Sequence, residues 1–184
     1  QGYLDSVGRQ AKWGDKYAEY EEKVVSAVKS IKNQLIVYKN APILAAYHAI
    51  SCGNTERATN VWNTDYPYLQ SENSIGDLLS PDFLSEVKLT TENFTAKLRE
   101  LGCEVTGEPS KYIGKITKSD AGYVTNITLG GKKFTGDKIR ETFSLRSASF
   151  DLIFKEDTFI FTVSGYGHGV GMSQFGANYM AEQG

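Results

Sequence analysis

Two stretches of the chain gather residue types able to do chemistry. The first is Gly165-Tyr166-Gly167-His168-Gly169-Val170-Gly171-Met172-Ser173-Gln174-Phe175-Gly176-Ala177, set between a β-like run and a helix-like one. Five glycines in twelve residues allow positive φ and a close backbone approach to a ligand or another strand. The spacing is neither GxGxxG at the start of a crossover unit nor GxxxxGKS, so it promises no dinucleotide or P-loop phosphate site. His168 has little side-chain bulk around it, which leaves its imidazole to bind, to titrate, or to fasten a tight corner through the backbone. Tyr166, Ser173 and Gln174 can meet a ligand, although Ser173 is equally suited to capping the helix that follows.

The second stretch is Tyr47-His48-Ala49-Ile50-Ser51-Cys52-Gly53-Asn54-Thr55-Glu56. His48 and Cys52 lie four apart and can share a face, and both are zinc ligands. A zinc site there needs a third ligand from His168, Glu56 or Cys103; otherwise the pair is a buried cysteine beside a hydrogen-bonded histidine. A cysteine nucleophile with a histidine base is the weaker reading, because residues four apart on one strand are oriented together. Glu56 is the best-placed carboxylate for acid work, in a polar loop off the lysine-rich helix faces, and a solvated loop glutamate is the alternative. Trp62, Tyr66 and Tyr68 offer sugar-stacking faces or a local core. Arg140 and Arg146 suit an anionic sugar substituent, or are ordinary surface arginines.

The elements that must position these groups read as α+β, mainly antiparallel strands and hairpins with a few short helices. Asp15 to Ile31 is helix-like, with Val24, Val25, Val28 and Ile31 expected on a buried side. Leu35 to Tyr38 and Ile43 to Tyr47 flank Lys39-Asn40-Ala41-Pro42 as a hairpin. Ser51 to Pro81 is loop-rich. Thr91 to Leu101 forms a surface helix stopped by Gly102. Strands follow at Tyr112 to Ile116, Tyr123 to Leu129 and Lys132 to Phe134, the last two joined by Gly130-Gly131. Thr135 or Asp137 caps a helix through Phe143, and Phe150 to Phe154 pairs with Thr158 to Val163 around Lys155-Glu156-Asp157.

The chain has 184 residues, enough for one ordinary domain or two small ones. Twenty basic against twenty-two acidic residues give a formal charge of −2, without the excess that binds a phosphate backbone, so no nucleic-acid partner is expected. The longest apolar run, Ala41 to Tyr47, is far short of the ~20 residues that span a bilayer. Cys52 and Cys103 are too few for a disulfide framework. A start at Gln1 without methionine, and a stop at Gly184 just after a helix-like run, read as cut ends.

The glycine stretch, the segments Lys132 to Arg140 and Leu145 to Phe150, and Ala45 to Glu56 through Val61-Trp62 resemble, in this order, the stage II sporulation protein D family. The resemblance runs from about Gln34 to the end, and the string GHGVGMSQFGA is specific to that family. It implies a peptidoglycan lytic transglycosylase that cleaves the bond from N-acetylmuramic acid to N-acetylglucosamine without water during spore engulfment, leaving 1,6-anhydro-muramoyl ends. The family's catalytic glutamate belongs to an E-M-P segment followed by an A-V-A-A-R-T-Y helix upstream of the matched region, and has no counterpart in this chain. These residues are then the carboxyl-terminal portion of the catalytic region, either as one domain or as two subdomains, about 1–80 with 160–184 and about 81–159. His48, Ser51, Gly53, Thr55, Glu56, Tyr166, His168, Ser173, Gln174, Arg140 and Arg146 are expected to bind substrate. The chemistry requires no cofactor.

The resemblance further implies an extracytoplasmic place, with a membrane anchor upstream, glycan strands lacking stem peptides as substrate, a companion amidase, and a membrane-anchored recruiting protein. A non-catalytic module that binds glycan or enhances an amidase is the alternative. Cysteine stands at Ser51-Cys52-Gly53 where many relatives look like Ser-Gly-Gly, which keeps zinc in view, and relatives continue past the position of Gly184.

Overall fold

A computed structural model of the protein describes residues 3–184. Contacts divide the chain into two compact units, one ending at Ile43 and the other Leu44–Gly184. The division between these units falls at Ile43/Leu44.

In the first unit, α1 (Ser6–Trp13) begins at Asp5, whose carboxylate accepts the Gly8 N–H at 2.7 Å. A 3-10 turn, Gly14–Lys16, leads into α2 (Tyr17–Ser30). Trp13 packs its ring on Tyr17 and Tyr20, and Arg9 forks onto Glu21. The helix expected over 15–31 is present, but its apolar side is not buried: Val24, Val25, Val28 and Ile31 are all exposed. Periodicity reports an amphipathic helix and says nothing of what it packs on. A hairpin forms, but not on the expected strands: β1 (Val37–Tyr38) pairs with β2 (Ala41–Pro42), residues expected in the turn, around Lys39 and Asn40 at φ 48° and 64°, while Ile43 to Ala46, expected as the second strand, are irregular. Two successive residues at positive φ give the turn whose twist matches paired strands, which Asn tolerates.

The second unit starts its regular structure at β3 (Tyr47–His48), which belongs to no hairpin and instead pairs with the far end of the chain. After α3 (Ala58–Trp62) and a 3-10 turn at Ile75–Leu79 come β4 (Leu84–Thr90), α4 (Thr91–Glu100), β5 (Ile113–Lys118), β6 (Val124–Leu129) and β7 (Lys132–Thr135). Then follow α5 (Gly136–Thr142), β8 (Phe150–Lys155), β9 (Thr158–Ser164), β10 (Met172–Ser173) and α6 (Gln174–Gln183). The fold is α+β. Two three-stranded antiparallel sheets, ordered β4-β9-β8 and β5-β6-β7, carry it. Because β9 lies between β4 and β8, segments 81–159 and 160–184 are interlocked. β4 and α3 fall in stretches that show no such elements in the sequence.

The sheets hold Ile127, Leu129, Phe159, Phe161 and Val163 fully buried against Phe94 and Leu98 of α4 and Ile139 of α5. Phe94 stacks on Phe159 with ring centroids 3.7 Å apart. Each such side chain contributes about 1.5–3 kcal/mol by leaving water, which makes this cluster the rigid support for everything around it. Thr135 accepts the Lys138 N–H and caps α5, so the cap is Thr135 and Asp137 is left for other contacts. Among the described residues no helix is long and apolar enough to cross a membrane.

Candidate functional site

The glycine stretch and the His48–Glu56 segment come together through their backbones. β10 pairs in parallel with β3, Met172 opposite Tyr47 and Ser173 opposite His48. Tyr166 and Ile50 exchange hydrogen bonds, N–H of each to C=O of the other, at 2.7 and 3.0 Å, and the Glu56 N–H donates to the Gly169 carbonyl at 2.8 Å. The Gly167 N–H donates to the Arg146 carbonyl, which ties in the loop after α5. Two glycines make the approach possible. At Gly165 (φ 77°) a Cβ would sit 2.7 Å from the Ile50 carbonyl oxygen, and at Gly167 (φ 125°) it would sit 2.7 Å from His48 Cβ. No side chain fits at either position, and both lie in the left-handed half of the map.

Both imidazoles clasp Val170. His48 is buried, and its Nδ1 lies 3.2 Å from the Val170 carbonyl, an acceptor, so Nδ1 carries the proton. The Val170 N–H donates to His168 Nδ1 at 3.1 Å, which places that ring's proton on Nε2. The two rings stand 5.8 Å apart, and Trp62 lies 5.1 Å from His168 on centroids. Burial lowers the pKa of His48, opposed by its bond to Val170 and by Asp77. Burial, then the neighbouring His48 and Arg140, brings His168 down to about 4, with the Tyr47 carbonyl opposing. His168 is thus a fastener of the corner and not a group that titrates near neutrality.

Glu56 is only 2% exposed. Its carboxylate accepts from the Arg57 N–H at 2.7 Å, from Asn60 Nδ2 at 2.9 Å, and from the Ser119 hydroxyl. These three donors tie α3 to the turn between β5 and β6. Beside them opens a polar cleft of about 560 Å³, lined by Glu56, Arg57, Asn60, Ser119, Asp120 and Thr125 among others. Glu56, Asn60 and Thr125 also line a second, tight cavity of about 10 Å³ whose far wall includes Asp137 and His168. Burial raises the Asp137 pKa above the usual carboxylate range; Arg140 opposes this, and Glu141 and Glu56 add to it. Glu56, His168, Arg140 and Asp137 therefore form one electrostatic neighbourhood.

Of the other expected residues, Ser51, Thr55 and Ser173 are buried, whereas Tyr166 and Gln174 are exposed. The Asp77 carboxylate, with no exposure, accepts the Ser51 N–H at 2.8 Å and the Ser173 hydroxyl at 2.7 Å, while Ser173 Oγ accepts the Gly176 N–H and caps α6. Ser51 Oγ accepts the Gly53 N–H, and Thr55 Oγ1 bonds the backbone of Gln70 and Glu72. Arg146 donates to Asp82 and lies 5.3 Å from the exposed Tyr166 ring, and Gln174 lines a groove of about 450 Å³ together with Ile50 and Asp82. Trp62, Tyr66 and Tyr68 pack around Ala58, Leu69 and Val170 as a local core.

Cys52 Sγ donates to the Ala121 carbonyl at 3.0 Å, and both cysteines are free thiols. Among the described residues no three of His, Cys, Asp and Glu are grouped to hold a metal ion. Two carboxylates at the candidate site escape a reading of the sequence. Asp77 sits in a polar loop, and Asp137 reads as a helix cap; only the Asp137/Arg140 spacing of three hints that the latter shares a face with a charge partner.

No family model matches the chain. It is 38% identical to stage II sporulation protein D of Bacillus amyloliquefaciens and 37% identical to that of Bacillus subtilis, in both cases over its whole length. The chain belongs to the stage II sporulation protein D family. It spans about half the length of those relatives, 52% of each. A more distant relative, at 27% identity over 86% of this chain and 30% of its own length, is the amidase enhancer of Bacillus subtilis. In this member of the stage II sporulation protein D family, the glycine stretch that carries the resemblance is the part that closes on Glu56.

Proposed function

We propose that this chain forms the glycan-binding wall of a peptidoglycan lytic transglycosylase that cuts N-acetylmuramic acid to N-acetylglucosamine bonds during spore engulfment. The observation that carries the reading is the polar cleft beside Glu56, walled by carboxylate, guanidinium, amide and hydroxyl groups, of the size of a ligand pocket. Sugar hydroxyls pair with such groups. In the reaction an acid gives its proton to the glycosidic oxygen, the C1–O bond breaks, and the muramoyl C6 hydroxyl closes on C1 as its proton passes to the same group, now a base. No water enters, so atoms balance in an anhydro end.

Within this chain Glu56 acts as an acceptor for three donors and orients Asn60 and Ser119 at the cleft. The principal acid is assigned to a segment outside this chain. Arg140 and Arg146 suit the lactyl carboxylate of a muramoyl unit. Glycan strands without stem peptides, a companion amidase, a membrane-anchored recruiting partner, and an extracytoplasmic place with an anchor elsewhere in the protein complete the proposal. Zinc has no step in it.

Digestion of purified, peptide-free glycan by the full-length protein, followed by mass analysis of the ends, tests the reading. Anhydro-muramoyl ends support it, and reducing muramoyl ends overturn it in favour of hydrolysis. The similarity to an amidase enhancer favours one second reading, a glycan-binding or amidase-enhancing module. Glycan retention without any product would support that module.

A further inference from the structure

Among the described residues lining the polar cleft beside Glu56, Arg57 is the one cationic side chain. The backbone around it is clamped by three successive N–H groups. Glu56 donates to the Gly169 carbonyl at 2.8 Å, Arg57 to the Glu56 carboxylate at 2.7 Å, and Ala58 to the Leu69 carbonyl at 3.2 Å. The Arg57 side chain is exposed and makes no ion pair or hydrogen bond among the described residues. A guanidinium on a fixed stretch of backbone, without an intramolecular partner, suits the fork geometry of a carboxylate.

The other arginines of the neighbourhood are placed differently. Arg146 is held by Asp82 at 3.2 Å and lies over the Tyr166 ring, at the groove of Ile50 and Gln174. Arg140 bears electrostatically on His168 and Asp137 and is not among the residues that line the cleft. Two carboxylates share the cleft with Arg57. Glu56 is engaged by its three donors, and the exposed Asp120 forms no ion pair with the guanidinium.

A muramoyl unit differs from N-acetylglucosamine by a lactyl ether. While a stem peptide is attached, the lactyl carboxyl is an uncharged amide; once the peptide is removed, it is a carboxylate, ionised at neutral pH. Asn60, Ser119 and Thr125 present amide and hydroxyl groups that serve the two forms alike. A cation tells them apart, because a charge-assisted hydrogen bond to the carboxylate is about twice as strong as one between neutral groups. We propose that Arg57 is the specificity-determining residue of the cleft, binding the free lactyl carboxylate and so selecting strands stripped of their stem peptides. The inference rests on the glycan-binding reading and moves the anion contact from Arg140 and Arg146 to the cleft itself.

The test is retention of the full-length protein, in the cold, on bead-coupled peptide-free glycan and on the same glycan with its lactyl carboxyls converted to methylamides. Wild type should hold the carboxylate form about five- to tenfold more tightly, and the advantage should shrink in about 0.5 M salt. Arg57→Gln should lose the advantage while keeping its affinity for the methylamide form, and Arg57→Lys, which keeps the charge without the fork, should retain part of it. Asp120→Asn removes a like charge from the cleft and should strengthen binding of the carboxylate form alone. Arg99→Gln, at an exposed position of α4 outside the cleft, should change neither affinity. Arg57→Gln should melt with wild type, since the backbone bond to Glu56 survives. Equal retention of the two forms by wild type, or an advantage that persists in Arg57→Gln, overturns the assignment and leaves the glycan-binding reading standing. Retention of neither form overturns both.

Discussion

Replacing Asp77 with alanine should loosen the candidate site from behind. Its carboxylate is fully buried and holds the Ser51 N–H at 2.8 Å and the Ser173 hydroxyl at 2.7 Å. Hydrogen bonds to a charged group are worth about 1.5–3 kcal/mol each, and a buried donor left without a partner loses its share outright. Ser173 has a fallback, since its hydroxyl also lies 3.5 Å from the Ala49 carbonyl; the Ser51 N–H is tied only to Asp77 by the bonds described. The loss for Asp77→Ala is then about 3 kcal/mol, a fall in Tm of about 6–12 °C for a chain of this size. Asp77→Asn keeps one acceptor oxygen for Ser51 and should lose only about 1–2 kcal/mol. Urea unfolding in a Trp13→Phe background, where Trp62 fluorescence reports the second unit, measures both. A loss under about 1 kcal/mol for Asp77→Ala, or equal losses for the two variants, would refute the reasoning.

Four further outcomes follow from the geometry. His168 has a folded pKa of about 4, below its unfolded value, so the unfolded chain binds more protons between about 4 and 6.5; stability is full above that window and falls as pH drops through it. The loss, about 1–2 kcal/mol after allowance for a partly exposed ring, should appear in urea midpoints at successive pH values and flatten in His168→Gln. Gly167→Ala should destabilise by about 2–4 kcal/mol in calorimetry, because its Cβ meets His48 Cβ and its φ is positive. Glu56→Gln turns an amide donor toward one of three existing donors and should lower stability by about 2 kcal/mol in urea titration while weakening glycan retention. Thiol titration in denaturant without reductant should find both Cys52 and Cys103 reactive.

Much of the second unit is legible in the sequence because its signals are local. Gly130-Gly131 sets a hairpin at φ 51° and 79°, Thr135 caps α5, and the alternation in Phe150 to Phe154 and Thr158 to Val163 gives β8 and β9. β4 is hidden because Glu86 and Lys88 interrupt its apolar residues and it runs into α4 at Thr90/Thr91 with no intervening turn. Tyr47 and His48 look like the end of a hairpin, and only a strand far along the chain reveals their true partner. The convergence on Glu56 can be sensed in five clustered glycines. Burial cannot: it makes Asp77 an anchor, makes His168 neutral, and leaves Val28 without cover, and in each case it depends on what the rest of the fold brings near.

The pairing of Met172-Ser173 with Tyr47-His48 joins residues 125 positions apart. Such a closure forfeits much chain freedom before any contact rewards it, so it forms after the hairpins of the two larger sheets. The β3–β10 closure is consequently expected to be slower to form than the two hairpin-built sheets. On the proposed function, cleavage between Ser164 and Gly165 should weaken glycan retention in a pull-down while leaving the β8–β9 pair and the Phe94 cluster intact.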